Sequence, residues 1–440
     1  MLTNTKAKLQ PWTVCFSAAL FFFFEFIQVN MFNTITPDLM QAFQIQALET
    51  SHLSAGYFYA NVILLFFAGM ILDRVSTKKI IIFAMLLIVG STIWFACTHS
   101  FWQALICHMV TGAAGAFCLL SCVRLAARWF PPKRMALVVG LIVTFAMTGG
   151  MVAQTPFTVA VDHWGWRVTL LMDALLGAAM LLIIVLVVKD FPKGAEFKMD
   201  QHRKQLQGLG FWKSLKLVAL NSQNWLAGVY TSLMNLPIFV LGALWGGLYL
   251  IQIRHLTRLQ ASYIASWLFL GTLVGSPIIG WLSDRLTRRR LPMLVGAVLS
   301  LLLMSWLLLA RQLSFVQLSS LFFLLGFITS TQILSYPLIA ESNPDFLVGS
   351  AEGLAGTLIM SGGFAQTLFA ILMSWGWDHQ IINQVPIYSN QNYYHALVIM
   401  PVGFVIAFLA AYKLRETQAQ SVVLSPSLRA LAKQSSTEFL

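Results

Sequence analysis

A carboxylate stands in the middle of an apolar run: Phe21-Phe22-Phe23-Phe24-Glu25-Phe26-Ile27-Gln28. Ionised in hydrocarbon, such a group is costly unless it is paired or protonated, so Glu25 is suited either to exchange a proton or to bond a neighbouring helix. His108 lies in another apolar run, ahead of Gly112. Its imidazole titrates near neutral pH. At 1.5 Å of rise per residue the two groups differ in depth by only about 5 Å. A Glu25–His108 proton relay is one reading, and a satisfied core histidine is the other. Uncharged polar residues interrupt further runs: Gln28, Tyr57, Asn61, Gln154, Tyr230, Asn235, Gln332, Tyr336 and Gln366. Tyr57/Asn61 and Gln332/Tyr336 are spaced i,i+4, so each pair shares one helix face. In lipid each such group needs a ligand or another helix as partner. Asn235 precedes Pro237, where a freed carbonyl is available to a ligand. The five cysteines (Cys15, Cys97, Cys107, Cys118, Cys122) lack metal-ligand spacing and read as small buried hydrophobes. The sequence calls for no metal or other cofactor, and it offers no nucleophile with its base, so it does not read as an enzyme.

The elements that hold these residues are membrane-spanning helices. Of 440 residues, 58% are hydrophobic and 10% charged, against about 25% charged in soluble domains. Mean hydropathy is +0.75. Twelve runs approach the ~20 residues that cross the hydrocarbon core. They cover approximately 11–34, 51–72, 80–98, 102–127, 135–161, 168–189, 223–251, 260–282, 291–310, 316–340, 350–375 and 393–414. Open backbone cannot face lipid, so the fold class is an all-α membrane protein. Of 28 Lys and Arg, all but Arg167, Arg254, Arg258 and Arg311 fall on one set of connections. That bias places both termini in the cytoplasm. It also spreads the net charge of +12 over many loops, which argues against a nucleic-acid partner. Lys6 and Lys8 precede the first run as in a signal peptide, but the run is long enough to span and is read as a retained helix. The basic segment 190–221 divides a bundle over 1–189 from one over 222–414, and its end, Phe211 to Leu217, suits a short surface helix. The polar tail 415–440 is expected to be disordered.

The two bundles are repeats. Gly69-Met-Ile-Leu-Asp73-Arg74 with Lys78-Lys79 recurs, 211 residues on, as Gly280-Trp-Leu-Ser-Asp284-Arg285 with Arg288-Arg289. Gly149-Gly150 with Gln154-Thr155 in run 5 matches Gly362-Gly363 with Gln366-Thr367 in run 11. Trp164-Gly165-Trp166 matches Trp375-Gly376-Trp377. Same-sense repeats are related by an axis along the membrane normal, with the solute site near the midplane between them. The Gly-Gly pairs favour close contacts of run 5 with run 8 and of run 11 with run 2. For Gln154 and Gln366, solute contact and an interhelical bond stay equally open.

The paired Gly-x-x-x-Asp-Arg loops resemble the signature of the major facilitator superfamily over about residues 11–414. The resemblance implies that helices 1, 4, 7 and 10 line a cavity, that 2, 5, 8 and 11 line and close it, and that 3, 6, 9 and 12 support it from outside. It implies a cytoplasmic latch: Gly69, Asp73 and Arg74 facing the start of helix 11, and Gly280, Asp284 and Arg285 facing helix 5. Arg124 is an additional partner, and Glu341 and Glu352 are expected to pair with basic loops opposite. The family often carries Arg where this chain has His108, and here the sequence departs from the pattern.

The expectation is a bacterial inner-membrane secondary transporter, monomeric in the bilayer, working by alternating access and coupled to protons through Glu25. No cation lies near the middle of a cavity helix, so the solute is neutral, zwitterionic or cationic. No Gly-x-x-x-x-Gly-Lys loop is present, so a gradient drives transport. A looser likeness to the amino-acid uptake branch of intracellular bacteria, carried by Leu244-Trp245-Gly246 and Trp166-Arg167, suggests uptake of an amino acid or similar nutrient. Proton-driven efflux is the alternative, although run 5 lacks a Gly-Pro pair. A solute sensor is a further alternative, but it would need a signalling domain that the short tail does not supply.

Overall fold

Apolar residues all round a helix leave it stable only in lipid or in a large core, and most of this chain is of that kind. The structure, a computed structural model, describes residues 2–130, 134–192, 211–310, 312–344 and 347–417. Within them, the side chains of residues 2–8, 66, 70, 73, 74, 135–137 and 211–214 lie outside the description. Ten helical stretches among the described residues are long and apolar enough to cross a bilayer. One of them, Val138–Val187, is two helices that meet at Gly165, whose φ is +77°. Ala47–Arg74 is a further helix of 28 residues. The membrane helices are therefore α1 (Leu2–Asn30), α2 (Ala47–Arg74), α3 (Thr77–Cys97), α4 (Phe101–Trp129), and α5 and α6 on either side of Gly165. They continue with α7 (Ser222–Gln252), α8 (Arg258–Leu286), α9 (Arg290–Leu309), α10 (Phe315–Glu341), α11 (Val348–Met373) and α12 (Asn390–Lys413). A short helix, Phe211–Leu220, precedes α7 as expected. Most of the tail expected to be disordered, 418–440, lies outside the described residues, as do 193–210 of the linker.

The repeat extends to backbone geometry. Gly376, the counterpart of Gly165, has φ +71°, and both glycines supply a left-handed turn that other residues resist. Seven of the described helices change winding along their length, six of them in repeat-related pairs, while α12 is interrupted at Val398. Helix α1 ends at Asn30 and resumes as Phe32–Phe43, while α7 widens into a π-helix over Pro237–Trp245. Helix α4 breaks at Ala116–Phe117, and α10 tightens to a 3₁₀ turn over Ser330–Leu334. Helix α5 breaks between Val152 and Thr155, and α11 tightens over Gly362–Phe364. Such changes free backbone groups for other partners. Helices α2, α3, α8 and α9 run through unbroken.

The glycine pairs show what the repeat is for. A Cβ on Gly149 would sit 2.2 Å from the Phe23 carbonyl of α1, and one on Gly362 would sit 2.6 Å from Ser232 Oγ of α7. The next glycine of each pair faces the other half. A Cβ on Gly150 would sit 2.6 Å from the Phe269 ring of α8, and one on Gly363 would sit 2.2 Å from the Phe58 ring of α2. Phe58 and Phe269 are themselves 211 residues apart. The expected contacts of α5 with α8 and of α11 with α2 are thus built the same way twice, by small residues that let helices approach without a hydrophobic drive in lipid.

Candidate functional site

Glu25 is buried in α1 and accepts a short hydrogen bond from the Tyr57 hydroxyl of α2. The Asn61 amide, one turn on, donates to Tyr57 Oη at 3.2 Å and to the Gly112 carbonyl of α4 at 3.1 Å. Gly112 makes this possible. A Cβ there would lie 2.0 Å from the Tyr57 carbonyl, so α2 and α4 touch backbone to backbone. His108, one turn from Gly112, packs edge-on against Phe32 at 4.4 Å and lies 5.8 Å from the Tyr57 ring, centroid to centroid. Glu25 Oε2, Asn61 Oδ1 and His108 Nε2 are buried without a hydrogen-bond partner among the described residues. Glu25, Tyr57, Asn61 and His108 therefore form one cluster. Tyr57, not His108, is bonded to the acid.

Below Tyr57 the two halves meet in an aromatic layer. Tyr57 and Phe58 of α2, Phe239 of α7 and Ile359 of α11 are buried together, with Val29, Tyr336 and Met360 packed against them. Tyr336 thus reaches the interface between halves. Asn235 and Gln332 are buried on α7 and α10. The Asn235 carbonyl accepts Phe239 N–H at 3.0 Å, so it is not the carbonyl that the Pro237 region frees. The carbonyls taken up by side chains are further along. Gln366 donates to the Phe239 carbonyl at 2.8 Å, and Gln154 donates to the Gly242 carbonyl at 3.1 Å. Gln154 also accepts from Asn33 at 2.7 Å. Both glutamines make interhelical bonds to the π-wound part of α7.

Two candidates face away from the interface. Tyr230 bonds the Met293 carbonyl and Thr331 within the second half, each at 2.9 Å. Gln28 turns into the first half, where its amide makes a short bond to Asp173 of α6 and accepts from Thr92 of α3 at 2.9 Å. Asp173 is a second buried intramembrane acid that the reading of the sequence passed over, although it interrupts run 168–189 just as Glu25 interrupts run 11–34.

At the end that carries the Gly-x-x-x-Asp-Arg loops, the side chains of Asp73 and Arg74 lie outside the described residues. Asp284 pairs with Arg289 at 2.6 Å, and Arg289 also pairs with Glu341 at 3.0 Å. Glu341 was expected to reach a basic loop opposite. It bonds within its own half because Arg289 lies beside the end of α10. A Cβ on Gly69 would meet nothing within 4 Å, and one on Gly280 only Ile333 at 3.7 Å. Arg124 is half-buried on α4, and Arg285 stacks on Trp281, 5.3 Å from its ring.

The opposite end is bridged. Arg258, at the start of α8, donates to Asp38 and to the Thr34 carbonyl beyond α1, and pairs with Asp162 of α5 at 3.4 Å. Asn33 Oδ1 accepts Gly247 N–H at 2.7 Å, Thr155 bonds Ser266 at 3.0 Å, and Tyr388 accepts Ala47 N–H at 3.0 Å. Each of these contacts crosses between halves. Arg258 is one of the four cations set apart by the loop bias, Asp38 carries no such signal, and their 220-residue separation gives no local one.

Two repeat-related bundles of membrane helices, with a polar cluster against the seam between them, define the architecture of secondary transporters. The chain belongs to the Major Facilitator Superfamily, whose sequence pattern matches residues 18–367 and 231–433. It is 24% identical over 384 residues to the membrane sensor protein UhpC of Salmonella typhimurium, covering 83% of this chain and 85% of that one. It is 20% identical over 400 residues to a probable hexose phosphate transport protein of Chlamydia pneumoniae, covering 84% and 88%. Its fold is similar to that of a bacterial homologue of the human lysosomal transporter Spinster in an inward-facing, unoccupied conformation. The TM-score is 0.75 and the identity 15%, over 92% of this chain and 98% of that one. The chain is a multi-pass membrane protein of this transporter family.

Proposed function

We propose that the chain moves a small solute across the bacterial inner membrane by alternating access, coupled to protons through Glu25. The asymmetry between its two repeats carries this reading. The α2–α4 contact at Gly112 has a counterpart in α8–α10, where a Cβ on Gly326 would lie 2.0 Å from the Leu268 carbonyl. Thr272, at the place of Asn61, bonds the Gly326 carbonyl at 3.3 Å just as Asn61 bonds Gly112. Leu268 stands where the first half has Tyr57, and Phe322 where it has His108. Helix α7 contains no acid at all. The scaffold is therefore built once without Glu25, Tyr57 and His108, and packing does not account for their presence in the other half.

In this reading Glu25 carries the proton, Tyr57, braced by Asn61, holds its carboxyl, and His108 completes the relay. The solute lies beside the aromatic layer, near Tyr336, Asn235 and Gln332. In this reading the bridged end at Arg258 faces outward by the cation bias, and the halves part at the cytoplasmic end. Gly69, Asp73, Arg74, Arg124, Gly280, Asp284 and Arg285 act in the opposite state, when the loop end closes. No Lys or Arg occupies the middle of a lining helix, so a phosphate ester of the kind named for one relative would bring unpaired charge into the cavity. A neutral, zwitterionic or cationic solute fits better, with uptake of an amino acid or similar nutrient as the leading case.

Proteoliposomes with and without an inward proton gradient test this, using a panel of labelled amino acids, amines and hexose phosphates. Gradient-driven accumulation of one of them is expected, and accumulation of none overturns the reading. Glu25→Gln should retain solute exchange and lose accumulation. The likeness to a membrane sensor gives a second reading, in which solute binds without crossing, and the same vesicles separate the two.

A further inference from the structure

We propose that Asp173 is a second proton-exchanging carboxyl, served by an amide switch formed by Gln28 and Thr92. It extends the proton-coupled reading given above. Among the described residues, Asp173 is bonded to the neutral Gln28 of α1, which Thr92 of α3 bonds in turn. Arg167, six residues earlier, is committed to the carbonyls of Ala96 and Thr98 at 2.7 and 2.6 Å. Glu25 lies three residues from Gln28 on α1. A buried acid within a membrane is costly and marks a candidate functional site.

The surroundings satisfy both protonation states. With the carboxylate ionised, the Gln28 amide N–H donates to Asp173 Oδ2, and the Thr92 hydroxyl donates to Gln28 Oε1 at 2.9 Å. Thr92 has a second acceptor in reach, the Ile88 carbonyl at 2.8 Å. When Asp173 gains a proton, a half-turn of the Gln28 amide presents its oxygen to the new O–H. The amide nitrogen then donates to Thr92 Oγ, and the Thr92 proton turns to Ile88. The chain Asp173–Gln28–Thr92 stays linked in both arrangements, because an amide has both functions and a hydroxyl rotates. On release, the Asp173 O–H bond breaks, its electron pair stays on the carboxylate, and the proton leaves to water. A static structural acid needs only one of these arrangements, whereas the second acceptor for Thr92 allows both.

Infrared difference spectroscopy of the full chain in lipid, with the proton as the probe, tests the proposal by pH titration. Among the carboxylic C=O bands that appear and vanish with pH, which arise from a chain with 16 Asp and Glu, two should belong to Glu25 and Asp173. Asp173→Asn should remove one of them, and Glu25→Gln the other. Gln28→Leu removes the switch while leaving the acid, so the Asp173 band should stop titrating. An unchanged difference spectrum in Asp173→Asn would overturn the proposal. Loss of titration at Glu25 alone would instead sink the Glu25 coupling, and leave Asp173 standing.

Discussion

Tyr57 donates to Glu25 and accepts from Asn61 with one hydroxyl, so its removal strands a buried carboxylate oxygen. Leaving such a group unsatisfied costs about 1–3 kcal/mol. Tyr57→Phe should therefore lower the melting temperature in detergent, and should weaken gradient-driven accumulation more than exchange. A variant with unchanged stability and unchanged accumulation would remove Tyr57 from the coupling cluster. Glu25 was legible in the sequence because a lone acid in hydrocarbon is expensive wherever it points. The same argument applies to Asp173, which interrupts run 168–189. The orientations of Gln28 and Tyr230 were not legible. Helices apolar on every side carry no amphipathic stripe, so periodicity places i,i+4 pairs together without showing which neighbour they face.

At the scale of the elements, two glutamines brace one irregular helix. The repeat identified Gln154 and Gln366 as equivalents, but only the π-wound stretch of α7 explains their common target, the carbonyls of Gly242 and Phe239. Nothing in the residue order of Pro237–Trp245 beyond the proline announced that winding. The glycines give a sharper test. At Gly112 a side chain would have to displace the Tyr57 backbone, from which its Cβ would be 2.0 Å away, and overpacking of this kind costs about 1–3 kcal/mol or more. At Gly69 a Cβ meets nothing within 4 Å. Gly112→Ala should therefore melt well below the native protein. Gly69→Ala should melt like it, yet transport slowly if helix 2 must approach helix 11 when the loop end closes. Equal melting temperatures for the two variants would contradict the α2–α4 contact, and native transport rates in Gly69→Ala would remove Gly69 from the latch.

For the whole molecule, twelve spans and a duplication were legible because hydropathy and the 211-residue offset are properties of the chain itself. Which end of the bundle is shut is a relation between halves, and it rests on pairs such as Arg258 and Asp38 that no local pattern connects. The ion pair is about a quarter exposed on each side, so solvent screening holds its worth to about 1 kcal/mol. That is still roughly a fivefold change in the balance of two conformations. Arg258→Gln removes the pairs with both Asp38 and Asp162 and the bond to the Thr34 carbonyl. Spin labels across the Arg258 end should then report a larger share of separated halves, while labels across the Gly69 end report a larger share of closed ones. The two changes must be equal and opposite if the halves rock as rigid bodies about the cluster at Glu25. Separation at the Arg258 end without closure at the other would mean that the contact is a local clasp, and that alternating access in this chain is governed elsewhere.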